Sequence, residues 1–588
     1  MPLRARWPAR LWVALMVLVG AVGGLAAPAS AHATLQSTSP PSDGSVTASP
    51  GEVVLHFDQQ VVFRFDSVEV YDANSKRVDS GGARHPAGDS RAVEVAVPRV
   101  LPKGGYVVTW RVVSADSHPV HGAFTFFIGG ATGGLGGEAA RLLARSSGSR
   151  AVGVAFGAVR FAAFAAAAVF LGGALFALAI WPGARDDRRA RRLIWAGFVI
   201  LVVASAAAFA LQGPYGDGLG MGQALKGSVV SGVWHTQFGH VYAARLVLLA
   251  AAGLLAARLL RVPAGAALPA WLVVAGGLVG VAILSTWGLA DHARTGSLVV
   301  LAVPFDVIHL GAAAVWVGGL AMIVVAVLPA SRGNLAGQDG PVPTALPRFS
   351  QWALGAVVLI ALTGLFAAWR QIGLSRGALT ATPYGKLVIY KTAGFAVLMV
   401  LASASRNAVH GHLALPFAAS RRRPVRRRAP ILPRLSKTGG PTPPTTRLAR
   451  AVAAEVAVAL AVLGFTAVLV NAEPAKQAYA APFSTEVKAG PDLVNAVVDP
   501  AKAGPLTIHM YILSAEGAVV SVPQVTATMT NAAANINGLT VPLIRGGPGH
   551  FLTSGFVVPI RGTWVLQVTV RTTDIDEYNA EPITVNLR

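Results

Sequence analysis

Two short segments near the amino end carry the residue types that bind a metal ion. His32 follows a run of small residues that ends at Ala31, and a second segment at 114–122 contains Asp116 and His118. If proteolysis after Ala31 makes His32 the first residue, its free amine and its imidazole Nδ1 can chelate one ion, because a metal displaces the amine proton at neutral pH. Asp116 and His118 are two residues apart, so on an extended strand both side chains would point to one side.

These donors form a set that favours Cu(II): an amine, two imidazoles and a carboxylate. The 588 residues include no cysteine, which excludes thiolate metal sites, iron–sulfur clusters and disulfides. Residues 32–130 contain no methionine, so a thioether site for Cu(I) is excluded there. The nearby His121 is either an auxiliary ligand or a surface histidine. The alternative for the whole set is an ordinary Asp/His turn and an unrelated histidine.

The first 31 residues have the pattern of a secretory signal. A stretch with several arginines precedes an apolar run at 11–26, and residues 29–31 form an A-x-A cleavage site. A competing cut after Ala33 would release a chain that begins at Thr34 and lacks the chelating histidine. An uncleaved membrane anchor is the remaining interpretation.

Composition indicates a membrane protein with water-exposed parts. Hydrophobic residues make up 53% of the chain and charged residues 13%, against about 25% charged in typical soluble domains. The mean hydropathy is +0.55. Eight apolar runs are long enough to span a bilayer, which needs about 20 residues each. These runs are 151–181, 191–212, 239–260, 269–290, 302–328, 350–370, 384–405 and 448–470.

Charged residues in the connecting loops predict the orientation. The net charge is +22, and most arginines of the membrane region fall in alternate loops, above all in the basic 406–447 loop. The positive-inside rule places these loops in the cytoplasm and both termini outside, and a cleaved signal would export the amino end independently. We therefore expect a multi-pass protein of the cytoplasmic membrane, with no nucleic-acid partner.

Alternating apolar residues on either side of the spans predict two all-β domains. The first covers 32–128 and is followed by a linker at 129–150, and the second covers 471–588. Strand-like runs in the first domain are 53–57, 67–71, 92–97, 106–113 and 120–128. Those in the second are 506–513, 519–529, 539–544, 551–558 and 563–572. The predicted fold class is thus a mixed membrane protein, with an eight-helix bundle between two β-sandwiches.

Ionisable residues inside apolar spans are costly and therefore mark function. Asp306 and His309 lie close to one face of the fifth span, together with Trp316. A path for copper needs soft and borderline ligands at successive depths. The candidates are His235, His240, His292, Asp306, His309, Met322, Lys391 and Met399. The alternative is a bundle held by Arg–Asp and Lys–Glu pairs, and the span bases Arg160, Arg245 and Lys391 outnumber the acids, which argues against a cation path.

The sequence around the first metal segment resembles CopC copper-binding domains over essentially all of 32–128. The matching motifs are His32-Ala33-Thr34-Leu35, Ser37-Thr38-Ser39-Pro40-Pro41-Ser42-Asp43-Gly44 and Trp110-Arg111-Val112-Val113-Ser114-Ala115-Asp116-Ser117-His118-Pro119-Val120-His121-Gly122. The resemblance implies a cupredoxin-like β-sandwich that binds Cu(II) tightly through His32, Asp116 and His118. The Met-rich Cu(I) element of some family members is missing here.

The spans resemble the CopD membrane family over most of 151–470. The matching motifs are Asp291-His292-Ala293, His309-Leu310, Trp316-Val317-Gly318-Gly319-Leu320, Phe349-Ser350, Thr363-Gly364-Leu365, Tyr384-Gly385-Lys386-Leu387 with Lys391, and Arg406-Asn407. The last domain resembles small YtkA- or FixH-like β domains through His509-Met510-Tyr511 and Gly546-Gly547-Pro548-Gly549-His550-Phe551. For that domain a structural role and a metal site at His509, Met510 or His550 both stay open.

Together these features predict copper capture outside the membrane and transport across it, inward, in copper homeostasis or resistance. No G-x-x-x-x-G-K-[ST] motif occurs, so nothing indicates nucleotide-driven export. The first alternative is a sensor or assembly protein that hands copper to a receiving protein such as an oxidase. A copper-dependent oxidative enzyme is disfavoured because Asp116 would complete the Cu(II) shell. Haem binding by His309 and another span histidine is a further alternative.

Overall fold

The structure is a computed structural model of the chain. It describes residues 33, 35–42, 44–63, 67–115, 117–129, 141–142, 148–290, 298–331, 341–418, 444–479, 483–515, 519–553 and 556–587. The predicted signal segment at 1–31, both candidate cleavage sites and most of the basic loop lie outside these residues.

The amino-terminal domain is a β-sandwich of two sheets, as the sequence predicts. Its described strands are β1 (Leu35–Ser39), β2 (Gly44–Val46), β3 (Glu52–Phe57), β4 (Val61–Val62), β5 (Val68–Asp72), β6 (Ala92–Ala96), β7 (Gly104–Ser114) and β8 (Pro119–Ile128). One sheet has the order β1-β3-β6, and the other has β2-β8-β7-β4 with β5 also paired to β7. Alternate residues such as Val53, Leu55, Val108 and Phe126 point inward and form one buried core.

Eight helices in the described part of the chain are long and apolar enough to cross a membrane. They are α1 (Arg150–Ile180), α2 (Arg188–Asp217), α3 (Gln237–Leu259), α4 (Ala270–Ala290), α5 (Val299–Ala330), α6 (Pro341–Ile372), α7 (Pro383–Ala418) and α8 (Pro444–Leu469). Three short helices lie beside them, at Gly227–Trp234, Arg376–Ala381 and Ala475–Ala478. The number of spans predicted from hydropathy is confirmed.

Glycines set the closest helix contact in the bundle, between α1 and α5. A Cβ added at Gly172 would lie 1.9 Å from the carbonyl oxygen of Ala314, and one added at Gly318 would lie 2.2 Å from that of Ala168. Small residues let two helix backbones approach this closely in a membrane. Both helices also contain π-helical turns, which in α1 include Gly172.

The carboxy-terminal domain is a second arrangement of two sheets. Its described strands are β9 (Phe483–Ala489), β10 (Asp492–Asp499), β11 (Gly504–Ser514), β12 (Gln524–Asn531), β13 (Ile536–Val541), β14 (Leu543–Gly547), β15 (His550–Thr553), β16 (Phe556–Val558), β17 (Gly562–Arg571), β18 (Glu577–Asn579) and β19 (Ile583–Leu587). One sheet has the order β14-β15-β11-β10-β9 with β16 on β11, and the other has β13-β12-β17-β18 with β19 on β17. Trp564, which is 0% exposed, packs in the core between them.

Both β domains lie at one end of the helical bundle. The first contacts the ends of α2 and α8, and the second continues directly from α8. The domains also meet each other, because Val107 and Phe127 of β7 and β8 form a buried cluster with Leu142, against which Val519 packs. An even number of spans between two domains requires them to lie on the same side, and this arrangement agrees with it.

Candidate functional site

The segment with Asp116 and His118 is a tight turn between β7 and β8. The Ser114 amide and hydroxyl both donate to the His118 carbonyl, at 2.9 and 3.0 Å, and the Ser117 amide donates to the Ser114 carbonyl at 2.9 Å. Ser117 has a positive φ of 68°, a conformation that few residues other than glycine adopt. This turn joins the two strands that the sequence predicts at 106–113 and 120–128.

The His118 side chain is buried against the helical bundle. It is 2% exposed, and its Nε2 donates to the carbonyl oxygen of Val470, just beyond α8, at 2.8 Å. A carbonyl only accepts, so this bond places the proton of the neutral ring on Nε2 and the lone pair on Nδ1. Metal-binding histidines commonly donate their second ring nitrogen to a carbonyl in this way.

The other predicted copper ligands, His32 and Asp116, lie outside the described residues. His121 lies on β8 opposite Arg111, where partial desolvation and then the Arg111 charge lower the pKa of its ring. Within the described part of the chain, no three His, Asp or Glu side chains are grouped so that they could hold a metal ion. The Cu(II) ligand set therefore stays a prediction, with His118 as its one ligand that the structure describes.

Two side chains that sequence reasoning missed attach this domain to α2. Gln212 donates from Nε2 to the Ser117 carbonyl at 3.0 Å, next to His118. Arg111 donates from Nε to the Gly216 carbonyl at 2.7 Å and from Nη2 to the Tyr215 carbonyl at 2.9 Å. The negative end of the helix dipole lies at these carbonyls and favours a cation there. The one signal in the sequence was a glutamine at the end of an otherwise apolar span.

A small cavity lies between the His118 turn and the bundle. Its volume is about 100 Å³, and Ser114, Ala115 and Ser117 line it from the β domain. Gln212 and Thr236 are among the residues that line it from the helical side. The turn thus meets the membrane domain across a space that can hold a few waters or one hydrated ion.

A larger cavity lies within the membrane domain. Its volume is about 490 Å³, and its lining is mostly apolar. Three predicted path residues line it, namely Asp306, His309 and Lys391, and the helix face that the spacing of Asp306, His309 and Trp316 predicts is part of its wall. Two further ionisable lining residues were not singled out from the sequence as path residues: Arg370 and Tyr384.

His309 is held in the cavity wall by Thr363 of α6. The Thr363 hydroxyl donates to the Leu359 carbonyl at 2.6 Å, so it accepts a hydrogen bond from the protonated Nδ1 of His309, which lies 2.8 Å away. The His309 ring then carries its lone pair on Nε2, which is the form in which an imidazole binds a metal. Thr363 belongs to the Thr-Gly-Leu motif of the CopD resemblance.

The remaining predicted path residues do not line the large cavity. His235 and His240 are exposed near the β-domain end of α3, and His292 lies outside the described residues. Met322 is fully buried in the packed core beside α1, and Met399 is partly buried. The structure thus brings three of the eight candidates to one cavity rather than forming a continuous ladder of ligands.

Two of the three span bases, Arg160 and Arg245, do not line this cavity. The Arg245 guanidinium lies 4.0 Å from the ring centres of both Tyr242 and Trp287, and its Nε donates to Thr286 at 2.7 Å. Arg160 lies over Phe156 at 4.8 Å. Aromatic faces stabilise buried guanidinium groups. Part of the excess positive charge of the spans therefore lies outside the cavity. Among the cavity's lining residues, the two bases Lys391 and Arg370 accompany the one acid Asp306.

Comparisons with known proteins agree with this division of the chain. Residues 35–129 match the CopC domain, residues 151–300 match the copper resistance protein D-like N-terminal domain, and residues 343–469 match copper resistance protein D. The copper transport protein CutJ of Bacillus subtilis is 26% identical over 565 residues, which cover 93% of this chain and 95% of CutJ.

Shorter relatives match the amino-terminal domain alone. Copper resistance protein C of Escherichia coli is 31% identical over 115 residues, covering 18% of this chain and 90% of that protein. The crystal structure of CopC from Methylosinus trichosporium OB3b is 35% identical, covers 16% of this chain and 93% of that one, and has a TM-score of 0.16.

Proposed function

We propose that this chain, which joins a CopC domain to a membrane domain that matches copper resistance protein D, captures Cu(II) outside the cell and carries copper inward across the cytoplasmic membrane. Capture takes place at the freed amine and imidazole of His32, with Asp116 and His118 completing the ligand set. The membrane domain then receives the ion in the cavity that Asp306, His309 and Lys391 line.

One observation carries this proposal, the position of His118 at the edge of the membrane cavity. Val470, whose carbonyl accepts the hydrogen bond from His118, is itself a lining residue of the 490 Å³ cavity. Only the His118 ring would therefore separate a copper ion bound at its Nδ1 from Val470 in the cavity wall. A site that only sequesters copper would function without a contact with the bundle, so this contact supports transfer of the ion to the membrane domain.

The depth of the cavity supports delivery through the membrane domain. Its lining along α8 runs from Ala459 to Val470, about 16 Å at 1.5 Å per residue, or about half of a 30 Å hydrocarbon core. Trp316 and Phe395 pack edge to face at 5.9 Å in its deeper part. Copper entering from the β-domain end can thus reach His309 directly, and the second half of the passage requires these helices to move.

The loop charges support the orientation on which the inward direction depends. Arginines concentrate in the 406–447 loop and the other alternate loops, which the positive-inside rule assigns to the cytoplasm. Both β domains then lie on the outer face, and the capture site faces the external medium. The lining residues of the cavity, such as Ala302, Tyr384 and Val470, include the ends of the spans nearest the β domains, so its contents would exchange first with the outside.

Cellular copper content tests the transport proposal. Under copper limitation, we expect a deletion strain to hold less copper than the parent, and a strain overproducing the chain to hold more. Overproduction of the His118→Ala variant should not raise copper, whereas His56→Ala, which changes an exposed histidine of the same domain, should act like the unaltered chain. Equal copper in all strains would contradict import.

A second function, delivery of copper to a receiving protein without transport, is favoured by the charge of the cavity. Lys391 and Arg370 outnumber Asp306 among its charged lining residues in the described part of the chain, and a net positive lining opposes the entry of a cation. Copper uptake by proteoliposomes separates the two functions. A transporter accumulates copper inside the vesicles, whereas a delivery protein binds copper and accumulates none.

A further inference from the structure

Two histidines of the carboxy-terminal domain lie together on the face of its sheet that points away from the core. His509 and Tyr511 are two residues apart on β11, and His550 of β15 pairs directly with Tyr511. Met510, between them in sequence, is fully buried in the core and therefore cannot join them. Strand register alone thus places two imidazoles and a phenol side by side.

The three rings are stacked nearly parallel. The centroids of Tyr511 and His550 are 4.4 Å apart with an interplanar angle of 8°, and those of His509 and His550 are 5.4 Å apart with an angle of 11°. Tyr511 is 7% exposed, and its hydroxyl reaches the Ser42 carbonyl of the amino-terminal domain at 3.4 Å. The phenol ring therefore fixes the orientation of the His550 imidazole at the junction of the two β domains.

The facing ring nitrogens have the spacing of two ligands on one metal ion. His509 Nδ1 and His550 Nε2 are 3.1 Å apart. With bonds of about 2.05 Å, as imidazoles form to divalent metals, this separation gives a nitrogen–metal–nitrogen angle of about 100°. That value lies between the square-planar and tetrahedral angles, so one ion can bind both rings once each lone pair turns by about 40° from the line between the two nitrogens.

An acidic side chain lies on the same face. Val497 pairs with His509 in the sheet, and Asp499 occupies the next position of that face, diagonal to His509. Diagonal side chains on neighbouring strands are within reach of each other. The carboxylate can balance the charge of an ion at the two histidines and can add an oxygen ligand through water.

This place is distinct from the His118 turn. Ser42 precedes β2, which runs parallel to β8 with Gly44 opposite Phe126. Counting back two residues on both strands places Ser42 beside Phe124 of β8. Phe124 follows His118 by six residues, which is about 20 Å along an extended strand. A metal ion at the histidine pair would be separate from one at His118 and can be measured separately.

We propose that His509 and His550 form a second copper site, at the junction of the two β domains. Imidazole binds several borderline metals, and among the divalent first-row ions Cu(II) binds such nitrogen sites most tightly. A metal bound there replaces the proton that the two rings otherwise share. Because Tyr511 links this site to the Ser42 loop, the bound ion also stiffens the contact between the domains. The proposal concerns residues that the transport proposal does not use.

Cu(II) binding by the full-length protein in detergent tests the site. In a His118→Ala background, which weakens the first site, we expect one Cu(II) per chain whose pulsed paramagnetic resonance spectrum shows two coordinating imidazoles, whereas an ion left at the amine and imidazole of His32 would show one. Adding His509→Asn and His550→Asn should weaken this binding by more than about 100-fold, the upper loss expected from removing even a supporting partner of a ligand. Adding His56→Asn instead should change nothing.

A second measurement needs no substitution at the site. Diethyl pyrocarbonate labels accessible histidines, and Cu(II) should protect both His509 and His550 in the unaltered protein, as read by mass spectrometry. Unchanged labelling of both, or unchanged copper stoichiometry in the doubly substituted protein, would overturn the second site. Either result leaves binding at His118 unaffected, so failure here is distinguishable from failure of the transport proposal.

Discussion

Arg111 attaches the amino-terminal β domain to the membrane bundle, and its replacement by methionine should release that domain. The guanidinium donates to two carbonyls at the end of α2, at 2.7 and 2.9 Å, and packs beside Gly218, which ends the helix with a φ of +72°. Hydrogen bonds from a charged group contribute about 1.5–3 kcal/mol each. Methionine keeps the apolar stem and loses both bonds, so docking should weaken by about 3–6 kcal/mol, or at least about 100-fold.

Hydrogen exchange and copper flux measure the two consequences. In Arg111→Met, amides at 113–118 and 212–219 should exchange faster, because the protected contact between the turn and α2 opens. Copper uptake by proteoliposomes should fall by at least about 10-fold, since only the docked fraction can deliver. Cu(II) affinity should stay nearly constant, because no ligand is changed. Arg91→Met, which alters an exposed arginine of the same domain, serves as the matched control.

Three results of the Arg111→Met experiment would each contradict a different part of this reasoning. If the Arg111→Met protein has the same amide hydrogen exchange and the same copper uptake as the control, the contact with α2 contributes nothing to delivery. If exchange rises but flux does not fall, the domain docks as described and copper reaches the cavity from solution. If Cu(II) affinity falls as much as flux, the arginine supports the capture site itself.

Three further predictions follow from the packing. Thr363→Val removes the acceptor that orients His309 and should lower copper flux by about 10- to 100-fold with an unchanged thermal melt; unaltered flux would exclude His309 from the path. Gly318→Ala places a methyl group 2.2 Å from a carbonyl of α1 and should destabilise the bundle by about 1–3 kcal/mol in detergent unfolding. The control Gly355→Ala has open space and should not destabilise. Trp564→Ala should cost the carboxy-terminal domain about 3–5 kcal/mol in thermal unfolding, and a shift within error would mean the core refills the space.

Hydropathy predicted the spans because each must bury about 20 apolar residues whatever its neighbours are. Strand prediction succeeded where one face is apolar, as in β3, β7 and β17. It missed the short edge strands β1, β2 and β4, the hairpin of β9 and β10, and the last two strands, β18 and β19. Pro542 divides the predicted run at 539–544 into β13 and β14, because proline cannot donate in a ladder.

The candidate site was predictable only where chemistry is local to the sequence. His118 was found from its spacing and its motif, but the turn that holds it depends on serine hydrogen bonds that alternation does not encode. Its partner Val470 is 352 residues away and contributes only a backbone carbonyl, which no side-chain pattern can indicate. Gln212 and Arg370 were missed as functional residues for the same reason, because their roles arise from packing between distant helices.

Copper accumulation by proteoliposomes whose chains all have the β domains outward tests the central claim most directly. If copper captured at the His118 turn passes through the membrane domain, vesicles with the unaltered chain will accumulate it in a saturable way, and vesicles with His118→Ala will not. Vesicles that bind stoichiometric Cu(II) at the turn yet accumulate no more than empty ones would contradict transport and leave a delivery protein.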